Sequence, residues 1–289
     1  MKNTFRLLLV VALGTMVCTS CKKQMEGQYM PKQKPSVIRT ANLDSDGSES
    51  FVSISTFHWD GKLLSDIETT SGTTGDGLSK CSFTYDSNKR VDRITAQSDV
   101  ISLYKFVYNE NDLVKVEGYF DSGSITDEYL FTKTDGKVTE ITHTSFEKST
   151  KKGNFEPLRY IFPEQIVTAM ETASRVADRA DRDVTKLTWE GDNIIKIELV
   201  TSLGALTTDY TYDDKTNPLK GLYNNNFESS SEIVYSANNI LTSVTTIPIV
   251  GSMNSTYTYE YDGKYPVKQV IETSSLLTST KSVVTYTYL

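Results

Sequence analysis

The chain has 289 residues, a net charge of −7 and a pI near 5.1, with acidic and basic side chains scattered along it rather than run together. That distribution lacks the clustered basic stripe of a nucleic-acid-binding surface and excludes that class of partner. The 17 tyrosines, set among recurring Thr and Ser, are the composition of pleated, half-buried strands, and a chain of this length fits one all-β domain.

The first segment reads as a targeting sequence. Lys2 and Arg6 precede an apolar run from Leu7 to Val17, which is too short to span a bilayer. The run closes with Cys18-Thr19-Ser20-Cys21, without an A-x-A-like cleavage site. This resembles the bacterial lipoprotein box, in which a small residue precedes a cysteine that becomes the lipid-modified N-terminus of the mature protein. The resemblance implies a signal peptide over residues 1–20, a lipid on Cys21 and attachment to the envelope of a Gram-negative bacterium, most naturally its outer membrane. Cys81 is then the sole cysteine of the mature chain, so no internal disulfide forms. Alternating with Phe83 and Tyr85, it reads as a small buried hydrophobe. Lys22 to Pro35 carries Lys, Gln, Gly and Pro without periodicity, so residues 21–39 are expected to be a flexible tether.

From there a unit repeats: an alternating aromatic strand, a polar turn, and a second strand opened by two aliphatics three residues apart. The last aromatic before each turn is Trp59, Tyr85, Tyr108, Phe131, Trp189, Tyr212, Tyr235 and Tyr261. The aliphatic pairs are Leu64/Ile67, Val91/Ile94, Leu113/Val116, Val138/Ile141, Ile194/Ile197, Leu219/Leu222, Leu241/Val244 and Val267/Val270. Turns such as Asp60-Gly61 and Asp135-Gly136 carry hairpin chemistry. Residues three apart on a regular strand face opposite sides. The pairs therefore need either a first aliphatic packed at the turn or, the reading favoured here, a β-bulge that restores its facing. Eight hairpins joined by short polar links predict an all-β, antiparallel up-and-down meander of about sixteen strands, closed or nearly closed into a barrel over residues 40–289. Aromatics should point inward and Thr and charged residues outward.

One interval, from Phe131 to Trp189, is longer than the others and holds an insert over residues 146–183. Pro163-Glu164 suits a helix start, and Ile166, Met170, Ala173 and Val176 recur at helical spacing. A helix near 164–177 is predicted, its apolar face filling one end of the barrel beside any ligand site.

Aromatic-aspartate units such as Phe83-Thr84-Tyr85-Asp86 and Tyr259-Glu260-Tyr261-Asp262 resemble tyrosine–aspartate repeats. Together with the lipoprotein box, tether and serial hairpins, they make the chain similar to a family of Gram-negative lipoproteins of unknown function with a porin-like fold. That resemblance implies architecture and carries over no functional residue except Cys21.

No nucleotide-binding glycine loop, nucleophile elbow or zinc-type cysteine pair occurs, so no cofactor and no metal site is expected. His58 and His143 read as isolated strand histidines, and Asp213-Asp214 and Asp178/Asp181/Asp183 as turn or surface acids rather than calcium ligands. The expectation is a non-enzymatic, lipid-anchored envelope protein that binds a carbohydrate or protein ligand. A membrane-spanning pore is the alternative, and an envelope or polysaccharide hydrolase the second.

Overall fold

The computed structural model describes residues 25–72, 77–96, 103–120, 123–146, 182–201, 204–223, 231–248, 251–275 and 279–289. The alternating stretches form β1 (Pro35–Leu43), β2 (Glu49–Asp60), β3 (Leu63–Gly72), β4 (Gly77–Tyr85), β5 (Val91–Ala96), β6 (Leu103–Asn109), β7 (Asp112–Tyr119) and β8 (Ile125–Thr134). They continue as β9 (Lys137–Ser145), β10 (Arg182–Glu190), β11 (Asn193–Thr201), β12 (Gly204–Thr216), β13 (Asn238–Ile247), β14 (Gly251–Asp262), β15 (Tyr265–Ser274) and β16 (Ser279–Tyr288). One five-residue helix, α1 (Ser231–Tyr235), lies between β12 and β13. Each strand pairs antiparallel with its sequence neighbours, and β1 pairs with β16, so the meander closes into a sixteen-strand barrel without an unpaired edge. The strand count arises as seven paired units plus β1 and β16, instead of eight hairpins.

The favoured bulge is present, and it recurs. Trp59 faces Leu64 while the preceding His58 faces Asp66, so Ser65 is an extra residue. The same slip follows Tyr85↔Val91, Tyr108↔Leu113, Lys133↔Val138, Trp189↔Ile194, Tyr212↔Ile240 and Tyr261↔Pro266. The extra residue turns both aliphatics inward, which is why Leu64, Ile94, Leu113 and Val116 are all buried. Asp135 and Gly136, with φ of 53° and 74°, supply the paired left-handed residues that one of these turns requires.

The register also explains the aromatics. A polar head on the turn-end ring donates to a backbone carbonyl of the neighbouring unit: Trp59 Nε1 to Pro35 O (2.9 Å), Tyr85 Oη to Leu64 O (2.6 Å) and Tyr108 Oη to Val91 O (2.7 Å). Around the ring follow Trp189 Nε1 to Val138 O (2.6 Å) and Tyr212 Oη to Ile194 O (2.5 Å); on β14 the contact is made by Tyr259, two residues before the turn-end Tyr261, to Ile240 O (2.9 Å), and on β16 by Tyr288 to Pro266 O (2.8 Å). Each aromatic thus packs its ring in the wall and satisfies a carbonyl at the neighbouring bulge.

Positions in four of the expected repeat units are corrected. Lys133, not Phe131, takes the turn-end position of its hairpin, because Phe131 lies two residues earlier, opposite Ile141. Tyr235 sits on α1, not on a strand. Leu219 and Leu222 lie in a folded turn, since Pro218 has no N–H for a ladder and Asn217 holds the chain back on itself. Its Oδ1 accepts from Leu219 N (2.9 Å) and its Nδ2 donates to Ile233 O (2.7 Å). In β13 and β15 the inward positions belong to Ile240/Ser243 and Pro266/Gln269, so Leu241 and Val267 are the bulge residues and Val244 faces outward.

The end bearing the bulged turns is filled. Residues 25–34, expected to be part of a tether, pack into it: Tyr29 is 2% exposed, its ring lies tilted against Trp59 at 5.7 Å, and its hydroxyl donates to Pro218 O at 2.9 Å. Val91 N donates to Gly27 O (2.9 Å), and Leu113 N to Glu26 Oε2 (2.7 Å). Glu26 also pairs with Lys133, the one turn-end residue that has no ring. From the other side Leu222, Tyr223 and Val234 complete the core, with Tyr223 edge-on to Phe106 (5.6 Å) and to Tyr235 (6.0 Å). This end of the lumen is filled by residues 25–34, 217–223 and 231–235. The insert joins β9 to β10 at the opposite end, and its predicted helix lies outside the described residues.

Candidate ligand-binding interior

The inner wall divides by composition. Over β2 to β11 it carries mainly Leu, Ile, Val and Phe, with Tyr104, Tyr129 and Cys81 among them, which form the plugged core. Over β12 to β16 the same inward positions carry Tyr210, Tyr212, Tyr257, Tyr259 and Tyr286, interleaved with Thr208, Ser243, Thr245, Ser255, Gln269 and Thr273. These groups form chains of hydrogen bonds across the strands. Thr208 and Thr245 hydroxyls lie 3.0 Å apart, Ser243 and Tyr257 3.3 Å, and Ser255 and Thr273 2.8 Å. Gln269 Nε2 donates to Tyr259 Oη and Tyr286 Oη donates to Gln269 Oε1, both at 2.8 Å. Burial raises the pKa of these tyrosines well above a free phenol's, so they remain neutral donors and acceptors.

Glu232 stands in the first turn of α1. The residue is half-buried, and its charge acts on the Tyr210, Tyr212 and Tyr257 phenols. Desolvation pushes its pKa up to about 7, opposed only by a hydrogen bond from its own backbone N–H. No described Lys, Arg or His pairs with it.

The two histidines stand on opposite faces of the wall and cannot share a site. His143 is inward on β9: its Nε2 lies 2.7 Å from Asp127 Oδ1, and its ring stacks on Tyr129 at 4.5 Å. Asp183, beside it on β10, has its pKa raised by burial against the lowering pull of His143. His58 is outward on β2, 3.9 Å from Asp66 and 3.7 Å from Glu68. That trio has metal-ligand chemistry, but the Lys80 ammonium already sits 3.1 Å from Asp66 and 2.8 Å from Glu68. Asp213 is a turn acid: its Oδ1 accepts from Lys215 N (2.9 Å) and Asn239 N (3.0 Å). Cys81 is buried among the core side chains.

The outer wall is charged. Lys80 bridges Asp66 and Glu68, and Glu117 pairs with Lys115 (2.5 Å) and Lys105 (3.9 Å), with Glu128 3.5 Å from Lys115. Glu198 lies between Lys186 and Lys196, and Lys268–Glu260 (2.7 Å) and Lys281–Glu272 (2.8 Å) continue the series. Thr and Ser fill much of the rest of this face. A spanning barrel needs the reverse arrangement, an apolar outer band about 25 Å tall.

In fold, the chain is similar to porin-like proteins of Bacteroides. A crystal structure of a porin-like protein from Bacteroides uniformis superposes with a TM-score of 0.54, covering 91% of this chain and 100% of that one at 12% identity. A second, from Bacteroides vulgatus, gives 0.50 over 89% and 99% at 10% identity. At such identity the likeness is one of architecture. No family model matches the sequence, and no curated protein does.

Of the residues singled out in the sequence, Cys21 and the insert positions Ile166, Met170, Ala173 and Val176 lie outside the described residues, as do Asp178 and Asp181. Glu232 and the tyrosines of β12, β14 and β16 are the interior groups that sequence reasoning did not assemble. The tyrosines were visible as alternating residues. Glu232 gave no signal, because Ser-Glu-Ile-Val-Tyr reads as another alternating strand.

Proposed function

We propose that the protein is a non-enzymatic barrel, anchored to the Gram-negative envelope by a lipid on Cys21, that binds a small molecule or a segment of a partner on its hydroxylated inner wall. One observation carries this reading: the wall is inverted relative to a membrane barrel, with ion pairs outside and tyrosines inside. Each outward Lys or Arg near a bilayer midplane would cost about 2–4 kcal/mol, and such charges recur from β4 to β16. The barrel therefore suits water, and a separate lipid supplies the membrane attachment. The filled end argues in the same direction, since residues 25–34, 217–223 and 231–235 obstruct the lumen where a pore would need an exit.

A pore is the competing reading, favoured by the printed description of the two Bacteroides proteins as porin-like. Two measurements separate them. The Cys21→Ala variant should lose palmitate labelling and leave the membrane fraction, and the purified barrel should produce no conductance steps in planar bilayers. Membrane retention of the unlabelled variant together with discrete channels would overturn the proposal in favour of the pore.

A further inference from the structure

The chain is fixed to the barrel almost as soon as it leaves Cys21. The Met25 N–H donates to Gln28 Oε1 (3.1 Å), and Gln28 Nε2 donates to Asn88 O (2.8 Å). Glu26 accepts from Leu113 N (2.7 Å) and pairs with Lys133, and Gly27 O accepts from Val91 N (2.9 Å). Gly27 lies so close to the Tyr108 ring that a Cβ would overlap its hydroxyl. The hairpins β4–β5, β6–β7 and β8–β9 thus hold residues 25–28 at the filled end.

Cys21 stands four residues before Met25, and a chain of that length spans about 14 Å even when fully extended. The nine residues of β1 rise about 30 Å along the strand, or about 23 Å along the axis at the tilt usual for a closed barrel. A barrel set with its filled end away from the lipid would put Met25 farther from the bilayer than four residues can reach. The surface of that end suits the position. Its exposed turn tips carry Asp60, Lys62, Lys89, Glu110, Asp262 and Lys264, and none of the described turns from Asp60 to Lys264 presents an exposed large apolar side chain. Such groups stay with water and lipid headgroups and do not enter hydrocarbon.

We propose that the filled end of the barrel rests on the headgroup surface of the membrane that holds the lipid, and that the end bearing the Asp44–Ser48 turn points away from it. This builds on the reading of Cys21 as the lipid attachment and adds the orientation of the barrel. A ligand for the inner wall then approaches from the side away from the membrane, since the near end is filled.

The lipid-modified full chain, placed in vesicles of phosphatidylethanolamine and phosphatidylglycerol that include a nitroxide-headgroup lipid as a short-range quencher, tests this. A fluorophore is attached in turn to Ser87→Cys at a turn of the filled end, to Thr95→Cys on the outer wall of the same side, and to Ser45→Cys at the far end. All three positions are exposed, and the native Cys81 is buried, so the introduced thiol takes the dye. The Ser87→Cys label should be quenched several-fold more than the other two. Lengthening the chain after Lys23 by a Gly-Ser segment longer than the barrel should erase that difference. Equal quenching at Ser45→Cys would mean no fixed orientation, and equal quenching at Thr95→Cys would mean a barrel lying on its side. Either result, or a difference that survives the longer linker, would overturn the proposal. Flotation of the vesicles separates this failure from that of the lipid itself: protein that floats but is quenched evenly loses only the orientation, whereas protein that does not float loses the anchor as well.

Discussion

Replacing Tyr29 tests whether the segment before β1 is part of the fold or a tether. Tyr29 is 2% exposed, lies against Trp59 and donates to Pro218 O, so it joins the N-terminal segment to the turn that leads to α1. Truncating a buried aromatic to alanine costs about 3–5 kcal/mol through lost transfer energy and the cavity left behind. Orphaning the Pro218 carbonyl adds about 1 kcal/mol. For a domain of this size about 2–4 °C of melting temperature accompanies each kcal/mol, so Tyr29→Ala should lower the midpoint by about 8–24 °C. Tyr29→Phe keeps the ring and loses only the hydrogen bond, which should cost about 1 kcal/mol. Thermal melts followed by circular dichroism measure both. A Tyr29→Ala midpoint within about 2 °C of wild type would mean that residues 25–34 contribute nothing to the fold, and the account of the filled end would fail.

Other outcomes follow from the same geometry. Gly27 has φ of +78°, and a Cβ there would strike the Tyr108 hydroxyl, so Gly27→Ala should destabilise by about 2–4 kcal/mol, read as a lower urea midpoint. Two neighbours on β7 separate inside from outside: Leu113→Ala, fully buried, should cost about 2–5 kcal/mol, whereas Lys115→Ala should cost under about 1 kcal/mol, and less still in high salt. The folded-state value for Glu232 of about 7 lies above the 4.5 of an ordinary glutamate, so the folded protein holds the extra proton between those limits. Its contribution is complete below about pH 4.5 and declines as pH rises to about 7. Melts of wild type and Glu232→Gln across that range should diverge, the variant gaining relative stability with pH, and parallel curves would refute the assignment.

Much of the barrel was legible because the hairpin unit carries its own instructions. The turns declare themselves through Asp, Asn and Gly, and the aliphatic spacing of three favoured a bulge over a first aliphatic packed at the turn. The misplaced units failed for local reasons. Phe131 differed from the other turn-end aromatics in lacking a polar head, the feature that the carbonyl contacts of Tyr85, Tyr108 and Trp189 require. In β13 and β15 apolar residues stand at both the inward and the bulge position, Ile240 beside Leu241 and Pro266 beside Val267, so hydrophobicity alone could not set the frame. The docking of Glu26, Gly27 and Tyr29 depends on contacts with residues 60 to 190 positions away, which leave no trace in local pattern. The same holds for Glu232, whose environment is made by β12 and β14 and not by its neighbours in sequence.

The most direct test of the inverted wall is sedimentation velocity on residues 22–289 in buffer without detergent, repeated after adding a mild detergent. A barrel with ion pairs outside and tyrosines inside should sediment as a discrete, water-soluble species and bind no detergent belt. Aggregation in plain buffer that is relieved only by detergent, with a bound belt of micellar mass, would show an apolar outer surface and contradict the account.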